Sequence, residues 1–442
     1  MKCFVTRLTR QLKRFSSRAT LSIALIFFAV APSWGETIYV PQDFSSIRAA
    51  ARTAAPYDTI IVAGGRYDEA IVLDKPVTLL GAQRGVNPSE TGRSGKESVI
   101  VERFPIRITS KHVRVVGFEI ADFEQGITID DPLNQDGTDS TDKLDDITIS
   151  HNWIHSEQSP VRAGIRTAAH TAQRLVVSHN LLDVYDASPS TAPLAAIELN
   201  GSSTRRTPLH YENIVVTSNV LRNQDGASEQ EGGYGILGGT KSSADVINGL
   251  IIHRNLFRNA AYGANFNLQN VLQGTFSSNV VEDAPGALGF YSGTVSGNTF
   301  RMGGRLVLWT TAFDPSVARD AISSPRFVTI RNNDFTSDVN GRAITVGYGI
   351  LSSTISVRRN AFRNTGVSGE LLQSLATGVL NAGANWWDNS AGPSTHTGSL
   401  LGLINTSPWL VTGDEAPTAL QLPSQWPLSE SELRTPGFWP AL

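Results

Sequence analysis

One short pattern recurs along most of this chain and limits what it can fold into. Alternating apolar residues are followed by a polar residue, an asparagine, any residue and a large apolar one. The pattern appears as ITISHNWI, LVVSHNLL, IVVTSNVL, LIIHRNLF, GTFSSNVV, GTVSGNTF, VTIRNNDF and ISVRRNAF, and closes at NAGANWW. Its asparagines are Asn152, Asn180, Asn219, Asn255, Asn279, Asn298, Asn333, Asn360 and Asn385, at intervals of 19 to 39 residues. A fixed minimum with variable excess describes a constant structural coil that carries connections of different length. The apolar spacing within each copy is two, the period of a strand, and not the three-and-four spacing of a helical repeat.

A second strand precedes each asparagine strand and usually opens with a small residue. Its copies are GITID, GIRTA, AIELN, GILGG, GANFN, ALGFY, RLVLW and AITVG, beginning at Gly126, Gly164, Ala196, Gly235, Gly263, Ala287, Arg305 and Ala343. Two or three short strands per coil, each burying alternate side chains, make a stack in which equivalent residues lie ~4.8 Å apart. The expected fold is therefore all-β: a right-handed parallel β-helix, a solenoid of about ten coils. The asparagine is expected to hold the turn, bonding backbone from a left-handed conformation. An open coil exposes unpaired edges, so both ends need covers. Ser45 and Ser46 precede Ile47 to Arg52, a short capping helix with a serine at its start. Trp386, Trp387 and Trp409 are placed to cover the last coil.

The first 35 residues read as a signal peptide. Lys2, Arg7, Arg10, Lys13, Arg14 and Arg18 form a basic leader without an acid, an apolar run from Leu21 to Ala31 follows, and Ser33 to Gly35 offers small residues for cleavage. The single cysteine, Cys3, lies in this leader, so the mature body has no disulfide. Without the leader's six bases, 31 Lys and Arg stand against 40 Asp and Glu, a net charge of −9. That balance disfavours nucleic acid as a partner, because phosphate binding wants clustered cations. No later segment has the ~18 apolar residues of a membrane span, so no stable membrane insertion is expected after cleavage. The domain organisation expected is residues 1–35 as leader, 36–410 as β-helix, and 411–442 as an irregular Pro-rich tail. Within the β-helix, 36–56 form the N-terminal cap and 381–410 the closing coil. The location expected is periplasmic or extracellular.

The run IYVPQDFSSIRAA followed by DTIIVAGGRYDEAIVLDKPVTLLGA resembles the opening of pectin-lyase-like β-helix proteins, and NWWDNSAGP resembles the NxWG…GP closing coil of bacterial secreted β-helix repeat proteins. With the asparagine repeats between them, the similarity covers about residues 36 to 396. The resemblance implies polysaccharide lyases, hydrolases, esterases, epimerases or non-catalytic surface proteins, and fold alone does not choose among them. The polygalacturonase series NTDG…DD…GHG…RIK, the RPW segment of pectin esterases and the RxPxxR stretch of classical pectate lyases do not occur.

Strand phase supplies candidate residues. If the residue after each opener points inward, the inward set is apolar apart from Thr167, and the outward set includes Asp130, Arg166, Glu198, Asn200, Asn265, Asn267, Tyr291 and Trp309. Planar hydrogen-bonding groups with aromatic plates suit sugars. Long connections at 131–146, 155–163, 183–195, 201–212 and 222–234 flank the first half of this stripe, and connections of that length usually carry function. Asp130, Arg166 and Glu198 fall on consecutive coils. Two carboxyls there suit an inverting glycosidase, but Arg166 between them would lower both pKa values, and a salt-bridged ladder fits as well. For a lyase, Arg166 would neutralise a uronate, with Lys241, His170 or Tyr234 as base. Tyr234 also counts among the substrate-binding candidates.

The acidic stretch after Asp130, with Asp136, Asp139 and Asp142, has oxygen ligands suited to Ca²⁺ or is simply a solvated connection. His151 and His179 each precede a repeat asparagine, so they either stack in the turn or share a metal. The function expected is a secreted carbohydrate-active or carbohydrate-binding β-helix for an extended, uronate-containing polysaccharide, catalysis being open between lyase and glycosidase. The second class left open is a non-catalytic envelope protein, an adhesin or scaffold.

Overall fold

The asparagines set the geometry of every coil. In the computed structural model, the nine lie one above another at 0–1% exposure, the backbone N–H and side-chain Nδ2 of each of the first eight donating to the Oδ1 of the next. The same Nδ2 also reaches back to a carbonyl of the preceding coil, as Asn255 does to Val216 O at 2.9 Å. A buried turn carries backbone groups that must find partners, and a stacked primary amide has both a donor and an acceptor to offer them. The left-handed residue is not the asparagine but the one before it. His151, His179, Ser218, Arg254, Ser278, Asn332, Arg359 and Ala384 all have φ between 53° and 57°, and Gly297 has 65°. The asparagine side chain turns inward because its neighbour takes the sharp bend.

The structure describes residues 35–410 except 90–92, 94, 132–142, 157–160, 186–193, 201–208, 223–232, 240–244, 259–263, 309–326, 338–341, 348–349, 365–370, 389–392 and 394–399. The described chain is a right-handed parallel β-helix with three strand ladders, and every pairing between its strands is parallel. The glycine-opened ladder runs from Ile71–Leu73 to Leu400–Leu401, and the middle ladder from Thr37–Val40 to Ile404–Asn405. The nine-residue strand Ala264–Leu272 passes through both and joins them into one sheet. The third ladder, from Gly65–Tyr67 to Ala361–Asn364, is a separate sheet of 11 strands. The asparagine turn connects the middle ladder to the third.

Inward rows stack like on like. Ile127, Ile165, Ile197, Ile236 and Phe266 are successive register partners and all are fully buried. Thr167, the polar exception, is buried too and donates its hydroxyl to Glu198 O at 3.1 Å. Toward the C-terminal end, Phe300, Phe335, Phe362 and Trp387 form a continuous stack with ring centroids 4.5–5.3 Å apart. Trp387 is completely buried and closes the core, whereas Trp386 is half-buried and Trp409 is 37% exposed, so the covering role falls to Trp387. At the other end the helix Ile47–Thr53 is capped by Ser46, whose hydroxyl accepts the Ala49 N–H, and the Glu69 carboxylate accepts the Ile47 and Arg48 N–H groups. Ile47, Ala50 and Ala51 are the buried face of this plug. The leader (1–34) and the tail (411–442) lie outside the described residues, and no described helix is long and apolar enough to cross a membrane.

Candidate functional site

Alternation sends every second side chain of the glycine-opened ladder outward. Register pairs fix the outward row as Arg107, Thr128, Arg166, Glu198, Leu237 and Asn267 on successive coils. Arg166 and Glu198 are direct cross-coil neighbours with Arg166 Nε 3.1 Å from Glu198 Oε2. Asp130 is on the expected coil but two residues beyond this row. Its carboxylate meets Arg107 at 2.8 Å and accepts the Asp131 N–H.

Although Glu198 points away from the core, it is only 2% exposed. A second guanidinium, Arg162, approaches the same carboxylate at 3.4 and 3.5 Å. Arg166 in turn donates to Gln125 Oε1 at 3.0 Å. Burial pulls the Arg166 pKa down, while the Glu198 charge opposes that pull. Held between two arginines and with little contact with water, Glu198 has the geometry of an anchored ion pair. Arg162 and Arg107 keep more of their surface, 24% and 38% of the side chain.

Beside this row lies a second polar pair. Asp131, 1% exposed, accepts the His170 backbone N–H and holds His170 Nδ1 at 2.7 Å. The buried Tyr211 hydroxyl donates to Ala169 O at 2.9 Å, and burial drives its pKa upward. Arg162, Arg107 and Gln125 were not singled out from the sequence, and Asp131 was read only as one acid of the stretch after Asp130; their partners lie 23 to 41 positions away and only the coil register brings them together.

Several expected sugar contacts fall elsewhere. Asn265 is fully buried and turns inward, its amide donating to Glu282 O and Ala284 O at 2.7 and 2.9 Å. The reason is register: Tyr234 pairs with Ala264 and Ile236 with Phe266, so Asn265 stands where other coils carry Gly126, Gly164, Ala196 and Gly235. Gly263 is therefore not the opener of that strand. Tyr291 follows the strand Pro285–Phe290 and is 8% exposed, which removes it as a stacking plate. Leu237, 3% exposed, interrupts the polar row between Glu198 and Asn267. Asn267 and Tyr234 are half-buried, and Asn200 is buried at the end of its strand. Trp309, Lys241, Asp136, Asp139 and Asp142 lie outside the described residues.

His151 and His179 stack on adjacent coils with centroids 4.8 Å apart and planes within 2°. Parallel rings direct their in-plane nitrogens side by side instead of toward a common ion, which is the geometry of turn packing. Among the described residues no group of three or more His, Cys, Asp or Glu is arranged to hold a metal.

No family model matches the chain, and no curated protein matches it. Solved structures do. The PfbA surface adhesin of Streptococcus pneumoniae is 12% identical, with 79% of this chain and 88% of that chain covered at a TM-score of 0.42. The catalytic unit of a thermostable α-1,3-glucanase from Streptomyces thermodiastaticus is 16% identical over 86% and 70% of the two chains, at 0.43. A mannuronan C-5 epimerase module of Azotobacter vinelandii is 13% identical over 86% and 97%, at 0.31. Likenesses this distant carry no argument about the activity of this chain.

Proposed function

We propose that this protein is an exported β-helix that binds an extended polysaccharide, a uronate-containing polymer first among them, along the outer face of the glycine-opened ladder. The observation that carries the reading is topological. The connections that leave Ile129, Ser156, Val184, Leu199 and Arg222 each begin or end at an edge of this one ladder. Chain length is thus spent on the two rims of a single face, the usual arrangement when connections wall a binding surface.

The chemistry of that face agrees. Arg107 and Arg162 are partly exposed guanidiniums, each already held by a carboxylate. Donors fixed in advance lose little freedom when a sugar carboxylate or hydroxyl arrives. Asn267 adds an amide farther along the same row. Because Glu198 is sunk between Arg162 and Arg166, binding without turnover is the reading we favour.

The test is titration of a soluble polyuronate and a neutral glucan into the full chain, with ultraviolet detection of unsaturated uronate ends and assay of new reducing ends. Saturable polyuronate binding, weakened about tenfold by Arg162→Ala combined with Asn267→Ala, is expected, a loss of one or two charge-assisted contacts. Unsaturated or reducing ends would overturn the non-catalytic part. Absence of binding, or binding indifferent to both substitutions, would replace this reading with a stiff envelope rod.

A further inference from the structure

The third ladder carries a different charge pattern on its outer face. Trp153, Leu181, Val220, Leu256 and Val280 are register partners and form an apolar cluster outside the main core. Two residues farther along each strand runs a second outward row, which bears Arg222, Arg258, Arg301 and Arg363, with Asp183 one coil before Arg222.

The acids and bases of this region are not equally displayed. Glu282, between Arg258 and Arg301, is fully buried, Asp334 is 2% exposed, and Asp183 shows 22% of its side chain. The four arginine side chains are 43%, 43%, 34% and 31% exposed. All four meet their carboxylate through Nε: Arg222 to Asp183 at 2.9 Å, Arg258 to Glu282 at 2.5 Å, Arg301 to Glu282 at 2.7 Å and Arg363 to Asp334 at 3.1 Å. A guanidinium has five N–H donors in a rigid plane, so a carboxylate on the Nε edge orients the plane while 31% to 43% of each arginine side chain stays exposed. The chain as a whole has more acids than bases, 40 against 37, yet this row turns its bases out and its acids under.

Arg222 to Arg363 spans five coil steps, ~24 Å at ~4.8 Å per step, along a straight axis. We propose that this row is a track for a linear polyuronate, laid parallel to the helix axis with its carboxylates against the exposed parts of the Arg222, Arg258, Arg301 and Arg363 side chains. The surface is separate from the glycine-ladder face, and neither reading needs the other. Glu282 does not repel the polymer strongly, because two guanidiniums neutralise it on the spot.

The experiment measures affinity of the full chain for sodium polygalacturonate, with dextran as the uncharged control, at low and raised salt. Two double variants are compared. Arg222→Gln with Arg363→Gln removes the two ends of the row. Arg258→Gln with Glu282→Gln removes a base together with the buried acid, so no buried carboxylate is left without its partner, and Arg301, 34% exposed, is the one charge released. Each is expected to weaken polygalacturonate binding about tenfold and to reduce its salt dependence, with an unchanged urea midpoint for the second pair. Undetectable polygalacturonate binding at low salt, equal affinity for dextran, or full affinity in both double variants would overturn the track. Loss of binding in Arg162→Ala with the third-ladder variants unaffected overturns the track and leaves the glycine-ladder reading standing; the opposite pattern does the reverse.

Discussion

Replacing Asn255 with alanine tests the feature that defines every coil. Asn255 is fully buried, its Nδ2 donates to Val216 O at 2.9 Å and to Asn279 Oδ1 at 3.1 Å, and its Oδ1 accepts the Asn219 backbone N–H at 3.0 Å. Alanine takes these bonds from two buried backbone groups, the Asn219 N–H and the Val216 carbonyl. At about 1–3 kcal/mol for each stranded buried group, the expected loss is about 3 kcal/mol. Urea unfolding followed by fluorescence and by circular dichroism reads it, two probes being needed because a stacked-repeat fold can open in part. Asn255→Asp sharpens the test. It sets a carboxylate oxygen against two acceptors, so the native state favours the protonated acid and its pKa rises above the unfolded value of about 3.9. The stability of this variant should be retained below about pH 4 and lost as pH rises through and above that value. A loss under about 0.5 kcal/mol for the alanine variant, or an aspartate variant without this pH dependence, would refute the ladder as a source of stability.

Three other outcomes follow from particular contacts. A Cβ at Gly286 would lie 1.9 Å from Phe266 Cζ, so Gly286→Ala should lower stability by about 1–3 kcal/mol in urea unfolding, and Phe266→Leu in the same chain should recover part of it. Glu198→Gln leaves two arginines facing a neutral amide in a site with little access to water; a loss of about 3–5 kcal/mol is expected, against a much smaller one for Arg162→Ala. Burial, with the Arg254 charge adding to it, lowers the His253 pKa to about 4, so this ring is neutral when folded and protonates first in the unfolded chain. Its contribution is therefore complete above about pH 6.5 and lost as pH falls toward about 4; an NMR titration of His253 and a flatter acid limb in His253→Gln check this.

The coil period was readable because the buried turn accepts one side chain in every copy, and asparagine is short enough and carries both a donor and an acceptor. Strand phase was readable wherever a small opener is followed by clean alternation, as at Gly126, Gly164 and Ala196. It failed at Asn265 and Tyr291 for a local reason. The register of Tyr234 with Ala264 and Ile236 with Phe266 puts Asn265 at the opener position, and the pairing of Ala264–Leu272 with Pro285–Phe290 shifts register between Leu268 and Val271, just before Tyr291 follows that strand. In the candidate site, the placement of Arg166 and Glu198 side by side on one outward row was legible, because both occupy regular strand positions. The meeting of Arg162 with Glu198 and of Asp131 with His170 was hidden because Arg162 and Asp131 each sit at the end of a connection of irregular length, where no period predicts which residue meets which. The left-handed residue preceding each asparagine was missed because histidine, serine, arginine and alanine share no signature that announces it.

The measurement that bears most directly on the proposed function is a crystal structure of the full chain with a bound oligouronide. Ordered sugar across the outward positions of Arg107, Arg162 and Asn267, with a uronate carboxylate on a guanidinium, is the predicted result. Oligouronide at saturating concentration that leaves this face bare, whether it orders elsewhere or nowhere, would contradict it.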